Sequence, residues 1–398
     1  MSKLVITRWG GAILTVTLKD GKPVQLDAEP DGMRSILGNI YIGKVKNIVK
    51  NINSAFVDLG DGVTGYLNLE SPGLYYASGE RVNGKLRAGD EIVVQVEREA
   101  VKTKDPVLTG NLNFAGRYCV LTSGKTQIGF SSRITDAGWK KRVKPLLEAE
   151  KEEDFGVIVR TNAPEVPLEA LAAEFKILKA LYRRTMENAA HRTCYSLLHE
   201  TPPSYVSGIR DSLRGSLEEV VTDAPDIYEA LHSYMAASQP EDLEKLSFYE
   251  DTLLPLGKLY RLEKTMEEAL GRRVWLKSGG YLVIEPTEAL TVIDVNTGKF
   301  AGKKTLRDTI MKINLEAAAE IGRQLRLRNL SGIIIIDFID MEEESDKKSL
   351  VDALSGIVSS DPVRTTVVEI TKLNLVEVTR KKIRRPLYEQ VAQIKEKA

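Results

Sequence analysis

Cysteine is nearly missing from this chain. Cys119 and Cys194 are the only two in 398 residues, and neither belongs to a CxxC pair. That argues against a cysteine-built zinc site within one chain and fits two reduced thiols in a cytosolic protein. Histidine is scarce too: His191, His199 and His232 are all there are. The first two fall close together on a predicted helix, but three histidines are poor support for paired-histidine acid–base catalysis. No run of eighteen apolar residues occurs, so no segment reads as a membrane-spanning helix. The start, Met1 to Arg8, lacks the long apolar stretch and small-residue cleavage site of a secretory signal, which points to a cytoplasmic location. Net charge is missing as well, with 56 basic residues against 56 acidic ones. A zero sum neither favours nor excludes nucleic acid, because binding depends on where the charge lies.

What is present is an ordinary globular composition, 42% hydrophobic, in a chain long enough for about two to four domains. Lys3–Arg8 and Ile13–Leu18 read as strands, Asp20-Gly21 supplies a turn, and Asp31-Gly32 marks a break. From Gly38 to about Glu99 the pattern is all-β, with strands at Ile40–Ile48, Ser54–Leu59, Thr64–Leu69 and Glu91–Glu99. Gly60-Asp61-Gly62 marks a turn, and Ser71–Leu86 reads as a long loop. Short strands at this spacing suit a small barrel of the five-stranded oligonucleotide-binding (OB) type. Residues 104 to 205 mix strand and helix. They include the strand Gly156–Arg160 and a helix after Pro167, with Leu168, Leu171, Phe175, Leu178 and Tyr182 at helical spacing. Helical patterns continue to about Leu270, including Leu253–Leu270. The last third alternates strand and helix, which implies a layered sheet. Gly280–Ile284 and Leu290–Asp294 are strands, a long helix carries Leu306, Ile310, Ile313, Ala317, Ile321 and Leu325, and Ile333–Ile336 is a fully apolar strand. A further helix bears Leu350, Leu354 and Ile357, and Thr366–Ile370 is another strand.

Two carboxylates stand out by placement. Asp294 ends one apolar strand and Asp337 ends another, where α/β layers tend to hold ligands and reactive groups. If the strands are neighbours, both acids emerge at one edge and suit Mg²⁺, which takes one or two carboxylates and keeps several waters. Each could instead cap a following turn or helix. Asn296 lies two residues beyond Asp294 and either orients a carboxylate or belongs to the Asn-Thr-Gly turn. Asp340, three residues after Asp337, either joins that site or, the favoured reading, is the N-cap of the helix after Met341. Phe56 and Tyr66, on adjacent strands, are either core or a base-stacking face. Arg323–Arg328 and Arg380–Arg385 are basic clusters that suit nucleic acid or a solvated helix face.

Long motifs in a fixed order then carry a resemblance. Leu290–Gly298 (LTVIDVNTG), Gly332–Met341 (GIIIIDFIDM), Asn314–Ala318, Arg323–Arg328, Asn39-Ile40-Tyr41 and Ala55–Asp58 resemble the ribonuclease E/G family, over about residues 3 to 385. The resemblance implies a multidomain α+β and α/β architecture. A ribonuclease-H-like subdomain would comprise 1–35 plus 206–270. An OB-fold RNA-binding barrel would be inserted at 36–103, followed by a 5′-sensor region at 104–205. A deoxyribonuclease-I-like α/β subdomain would occupy 271–398. It further implies a Mg²⁺-dependent endoribonuclease, with Mn²⁺ as a substitute, acting on single-stranded, A/U-rich RNA in bacterial-type cytoplasmic RNA processing and decay. Asp294 and Asp337 match the metal-binding carboxylates and Asn296 the third catalytic residue. Phe56, Tyr66 and Lys104 match RNA-holding positions on the barrel; the family more often has Phe where Tyr66 stands. Gly116, Val120, Arg160, Thr161 and Arg364 match the pocket for a 5′-monophosphate, where Arg can bind phosphate oxygens bidentately and Gly would let backbone approach the phosphate. One departure stands out. The family's Cys-Pro-x-Cys motif, which joins two subunits through a shared zinc, has no counterpart after Val378–Lys382, where the chain reads Leu387-Tyr388-Glu389-Gln390. Either the chain is a zinc-independent member or the sequence stops short of the motif; within these residues zinc is not expected, and a homo-oligomer would need another link. The rival reading is a non-catalytic RNA-binding protein of the same fold.

Overall fold

Side-chain alternation and helical spacing build two compact units, described separately in a computed structural model. Residues 2–32, 35–83, 85–100, 104–212, 217–298 and 306–396 are described. The first unit joins Met1–Arg34 to Leu217–Ala398, and the second, Ser35–Ser216, is inserted between them.

The inserted unit begins with a closed barrel. Ile40–Val49, Ser54–Asp58, Thr64–Asn68, Val107–Thr109 and Glu91–Arg98 follow one another around it, and the last pairs back onto the first. Ala55, Val57, Leu67, Ile92, Val94 and Leu108 fill its interior. The segment read as a long loop carries the short strand Tyr75–Tyr76. Beyond the barrel, a four-stranded sheet runs in the order Asn113–Ala115, Cys119–Thr122, Gly156–Val159, Ile128–Phe130. The helix Leu168–His191 covers it, burying Leu171, Phe175, Leu178 and Tyr182. His191 ends that helix, but His199 lies on the strand Leu197–His199, so the two histidines do not share a helix.

In the first unit, a sheet runs in the order Leu246–Phe248, Leu217–Thr222, Ser2–Trp9, Ala12–Lys19, Lys22–Pro30. Here the sequence expectation needs correction. Leu217–Thr222 and Leu246–Phe248 are strands within a region that reads as helical, and the first pairs in parallel with Ser2–Trp9. A pairing across more than two hundred residues leaves no local signal. The expected Leu253–Leu270 helix is two pieces, Leu256–Leu259 and Leu262–Leu270, broken at Arg261, whose φ is 51°.

The second sheet of this unit positions the candidate site. Its order is Arg273–Trp275, Tyr281–Pro286, Leu290–Asn296, Gly332–Asp337, Leu375–Arg380, Thr365–Ile370. Leu282, Ile284, Ile293, Val295, Ile334, Ile336, Val376 and Val378 point to one face. There they pack with Ile313, Ala317, Ile321 and Leu325 of the helix Leu306–Leu327 and with Leu350 and Leu354 of the helix Glu344–Ser359. Each fully buried branched side chain contributes roughly 1.5–3 kcal/mol. The opposite face is only partly covered. Ile333 is 51% exposed, so the four-isoleucine strand is not buried on both sides as its composition suggests.

Candidate active site

The Leu290–Asn296 and Gly332–Asp337 strands pair in parallel with Asp294 directly opposite Asp337. Directly paired residues project to the same side of a sheet, so both carboxylates stand on the open face, away from the helices. Burial, then the charges of Asp294 and Asp340, push the Asp337 carboxyl above its ordinary range. The Asn296 amide donates to Asp294 Oδ2 at 2.7 Å, which orients that carboxylate. Repelling carboxylates on an open face are a hard-oxygen donor set that a divalent cation would relieve. Among the described residues no group of three or more His, Cys, Asp or Glu is arranged to hold a metal. Two carboxylates with waters completing the shell nevertheless fit Mg²⁺.

Asp340 is not an N-cap. The helix begins at Glu344, and Asp340 is exposed, accepting from Asn374 Nδ2 at 3.5 Å. It joins the acidic cluster instead.

Two residues whose roles composition did not reveal brace this site from the helix Leu306–Leu327. Asn314 is fully buried; its Nδ2 donates to Ile339 O at 2.8 Å and its Oδ1 accepts from Ile339 N at 3.1 Å. This holds the segment leaving Asp337. The Glu316 carboxylate accepts from the backbone of Lys277 at 2.7 Å and of Ser278 at 3.3 Å, holding the turn beside Asn296. A Cβ on Gly280 would stand 2.8 Å from Asn296 O, so this approach requires glycine. The available signal was an Asn on the buried stripe of an amphipathic helix, since a buried polar side chain needs a partner.

Several arginines of the two basic clusters are engaged within the protein, whereas Lys381 and Lys382 are exposed. Arg328 is buried, donates to Gln324 Oε1, Gly271 O and Glu268 O, and is pulled down to about 10 by that burial. Arg323 grips Glu320 and Pro23 O. Arg380 is paired with Asp361 at 2.7 Å, both side chains 4% exposed. These side chains tie elements together rather than forming a solvated helix face.

In the barrel, Phe56 and Tyr66 are direct cross-strand partners, their rings 6.1 Å apart and edge-to-face. Their neighbours Ala55, Val57, Gly65 and Leu67 are buried, so alternation puts both rings on the outer face. Ser54 Oγ donates to the Tyr66 hydroxyl at 2.5 Å. Lys104 is exposed, two residues before Pro106, whose carbonyl accepts from the Tyr66 amide at 2.8 Å.

Gly116, Val120, Arg160 and Thr161 lie in the four-stranded sheet and its loops, whereas Arg364 belongs to the other unit. Arg160 Nη1 donates to Gly116 O at 2.6 Å and to Asp211 Oδ1 at 2.8 Å. Thr161 Oγ1 is 3.0 Å from Ser131 Oγ, and Val120 pairs with Ala115 and Ile158. The Glu174 carboxylate accepts from the backbone of Arg117, Tyr118 and Cys119 at 2.6, 2.7 and 2.9 Å. A Cβ on Gly116 would lie 2.4 Å from Glu174 Cδ. The glycine therefore makes room for this internal carboxylate, a structural demand that the resemblance did not suggest.

The sequence model of the ribonuclease E/G family matches residues 113–383. Ribonuclease G of Escherichia coli K12 is 36% identical over 371 residues, covering 90% of this chain and 76% of that protein. Ribonuclease G of Haemophilus influenzae is 34% identical over 373 residues, covering 91% and 76%. Ribonuclease E of Nostoc sp. is 34% identical over 360 residues, covering 89% of this chain and 52% of that longer protein. With the paired aspartates and the barrel, these similarities show that the chain belongs to the ribonuclease E/G family of endoribonucleases.

Proposed function

We propose that this chain is a Mg²⁺-dependent endoribonuclease that hydrolyses internal phosphodiesters of single-stranded, A/U-rich RNA, leaving 5′-phosphate and 3′-hydroxyl ends. The observation that carries the reading is the direct pairing of Asp294 with Asp337 on an open sheet face, with Asn296 fixed against Asp294. Asp294 and Asp337 would hold the cation, for which Mn²⁺ could substitute. When bound, that cation supplies activation of a water and charge stabilisation at the scissile phosphate. Asn296 keeps the Asp294 carboxylate aimed, and Asn314 holds the chain that leaves Asp337. Phe56, Tyr66 and Lys104 offer an aromatic and cationic surface suited to an unpaired strand. Gly116, Val120, Arg160, Thr161 and Arg364 serve in this reading to recognise a 5′-monophosphate. Arg160 then exchanges its Asp211 partner for phosphate. In family terms, 1–35 plus 206–270 form the ribonuclease-H-like subdomain, 36–103 the OB-fold, 104–205 the sensor and 271–398 the deoxyribonuclease-I-like subdomain. The setting is cytoplasmic RNA processing and decay. Among the described residues no helix is long and apolar enough to cross a membrane.

The test is cleavage of one short A/U-rich RNA bearing either a 5′-monophosphate or a 5′-hydroxyl, with Mg²⁺ or with EDTA. Internal cutting that needs Mg²⁺ and runs faster on the monophosphate is expected. Asp294→Asn should abolish cutting and leave RNA binding largely intact. A 2′,3′-cyclic phosphate product would mean attack by the ribose hydroxyl and would overturn the mechanism. Equal rates on both substrates would remove the sensor role of Arg160 and Arg364.

A further inference from the structure

The open face that carries the aspartates also carries an aromatic ledge. Trp275 pairs with Tyr281, and Tyr281 pairs with Asn296. In the neighbouring row Arg273 pairs with Val283, Val283 with Asp294, and Asp294 with Asp337. Residues directly opposite one another share a face, as do residues two apart along a strand. Arg273, Trp275 and Tyr281 therefore stand on the same side as Asp294, Asn296 and Asp337. Burial agrees: Val274 and Leu282, which alternate with them, point to the helix-covered side. With a strand spacing of about 4.8 Å, the Tyr281 and Trp275 backbones lie roughly 5 and 10 Å from that of Asn296.

The three side chains form one surface. The Trp275 and Tyr281 ring centroids are 5.3 Å apart, with planes inclined by 58°. The Arg273 guanidinium carbon is 4.6 Å from the Tyr281 ring centre and 5.7 Å from that of Trp275. Trp275 is 64% exposed, although it is among the largest apolar side chains in the protein. An indole serving only to pack would be expected inside, and here it lies on an edge strand facing water. The ledge is also held in place. Glu316 grips the Lys277 and Ser278 amides in the turn joining the two strands, and Gly280 closes against Asn296.

We propose that Arg273, Trp275 and Tyr281 form a nucleobase-binding subsite that stacks an unpaired base flanking the scissile phosphodiester, with the Arg273 guanidinium stacking on the same base or contacting its phosphate. Aromatic rings accept any base by stacking, and an arginine plane adds a cationic face suited to a polyanionic strand. This subsite is separate from Phe56 and Tyr66, which belong to the barrel. It rests on the reading of the Asp294–Asp337 pair as the cleavage site.

The experiment is a double-mutant cycle between protein and substrate. Wild type, Trp275→Ala and Trp275→Phe would be assayed with Mg²⁺ on an oligoribonucleotide that is intact or carries one abasic nucleotide at each of the two positions on either side of the cut. At one of these positions, loss of the base should cost wild type roughly tenfold in kcat/KM. It should cost Trp275→Ala almost nothing more, and Trp275→Phe should restore most of the sensitivity. A merely structural tryptophan would lower the rate on every substrate alike, so equal abasic penalties in wild type and Trp275→Ala at all positions would overturn the subsite. If wild type cuts nothing, the cleavage reading falls by itself. The ledge is then judged by Trp275 emission, taken as wild type minus Trp275→Phe, during RNA titration in EDTA. Quenching by intact RNA that weakens with abasic RNA supports it, and no quenching overturns it.

Discussion

Replacing Asn314 by alanine tests whether the candidate site is built from behind. The side chain is fully buried and makes two hydrogen bonds to the backbone of Ile339, two residues beyond Asp337. Their loss costs about 1 kcal/mol each, and leaving the Ile339 N–H and C=O unpaired adds ~1–3 kcal/mol each where water cannot reach. Ile339 is half-buried, so water recovers part of that penalty. The expected loss of stability is about 2–4 kcal/mol, read by urea denaturation. The functional consequence is separate. If Asp337 holds the proposed Mg²⁺, releasing the chain that leaves it should lower metal affinity or activity, by roughly 10–100-fold if the loss matches that of a group bonded to the ligand itself. The Mg²⁺ concentration for half-maximal cleavage should therefore rise by about that factor while KM for RNA changes little. Asn314→Asp, which keeps the acceptor and loses the donor, should fall between wild type and alanine. A variant that loses stability yet keeps the wild-type Mg²⁺ midpoint would refute the reasoning and leave Asn314 as a strut.

Other substitutions probe the frame. Arg380→Met removes the cation of a buried pair and leaves the Asp361 charge to neutral donors such as the Val363 amide and the Thr365 hydroxyl, so about 3–5 kcal/mol of stability should disappear in denaturant unfolding. A loss under 1 kcal/mol would mean that the pair is hydrated in solution. Gly116→Ala puts a Cβ against the Glu174 carboxylate and should destabilise by roughly 1–3 kcal/mol, measured by thermal unfolding; unchanged stability would show that Glu174 has another seat. Burial and Glu174 push the Cys119 thiol well above its ordinary value, and burial and Glu91 raise Cys194 less. Near neutral pH an aromatic disulfide reagent should react slowly with Cys194 and not with Cys119 until the protein unfolds. Because the folded thiol pKa values are raised, their contribution to stability is complete below about pH 8.5 and is lost as pH climbs through the folded values. Rapid modification of Cys119 in the folded protein would contradict its burial.

Much of the site was legible because it depends on short-range periodicity. Apolar runs ending in Asp294 and Asp337 have the length and alternation of strands, and the Leu306–Leu327 helix announces itself by its apolar stripe. The period-two pattern around Phe56 and Tyr66 allowed two faces; burial of Ala55, Val57 and Leu67 chose the outer one. The arginine clusters misled for the opposite reason. Composition records that charge is present, whereas Arg328 reaches Gly271 57 residues back and Arg380 pairs with Asp361 19 residues back.

By itself, then, the sequence determined the residue types, the periods of two and 3.6, and the motifs that mark the ribonuclease E/G family. Tertiary structure decided register and neighbourhood. It placed Asp294 opposite Asp337, inserted Leu217–Thr222 beside the N-terminal strand, bent the chain at Arg261, and lined Trp275 and Tyr281 up with Asn296. Periodicity is a property of a few consecutive residues, so it can be read along the chain. Which strand lies beside which, and therefore which side chains share a face, follows from burying apolar surface across the whole unit, and no single segment carries that information.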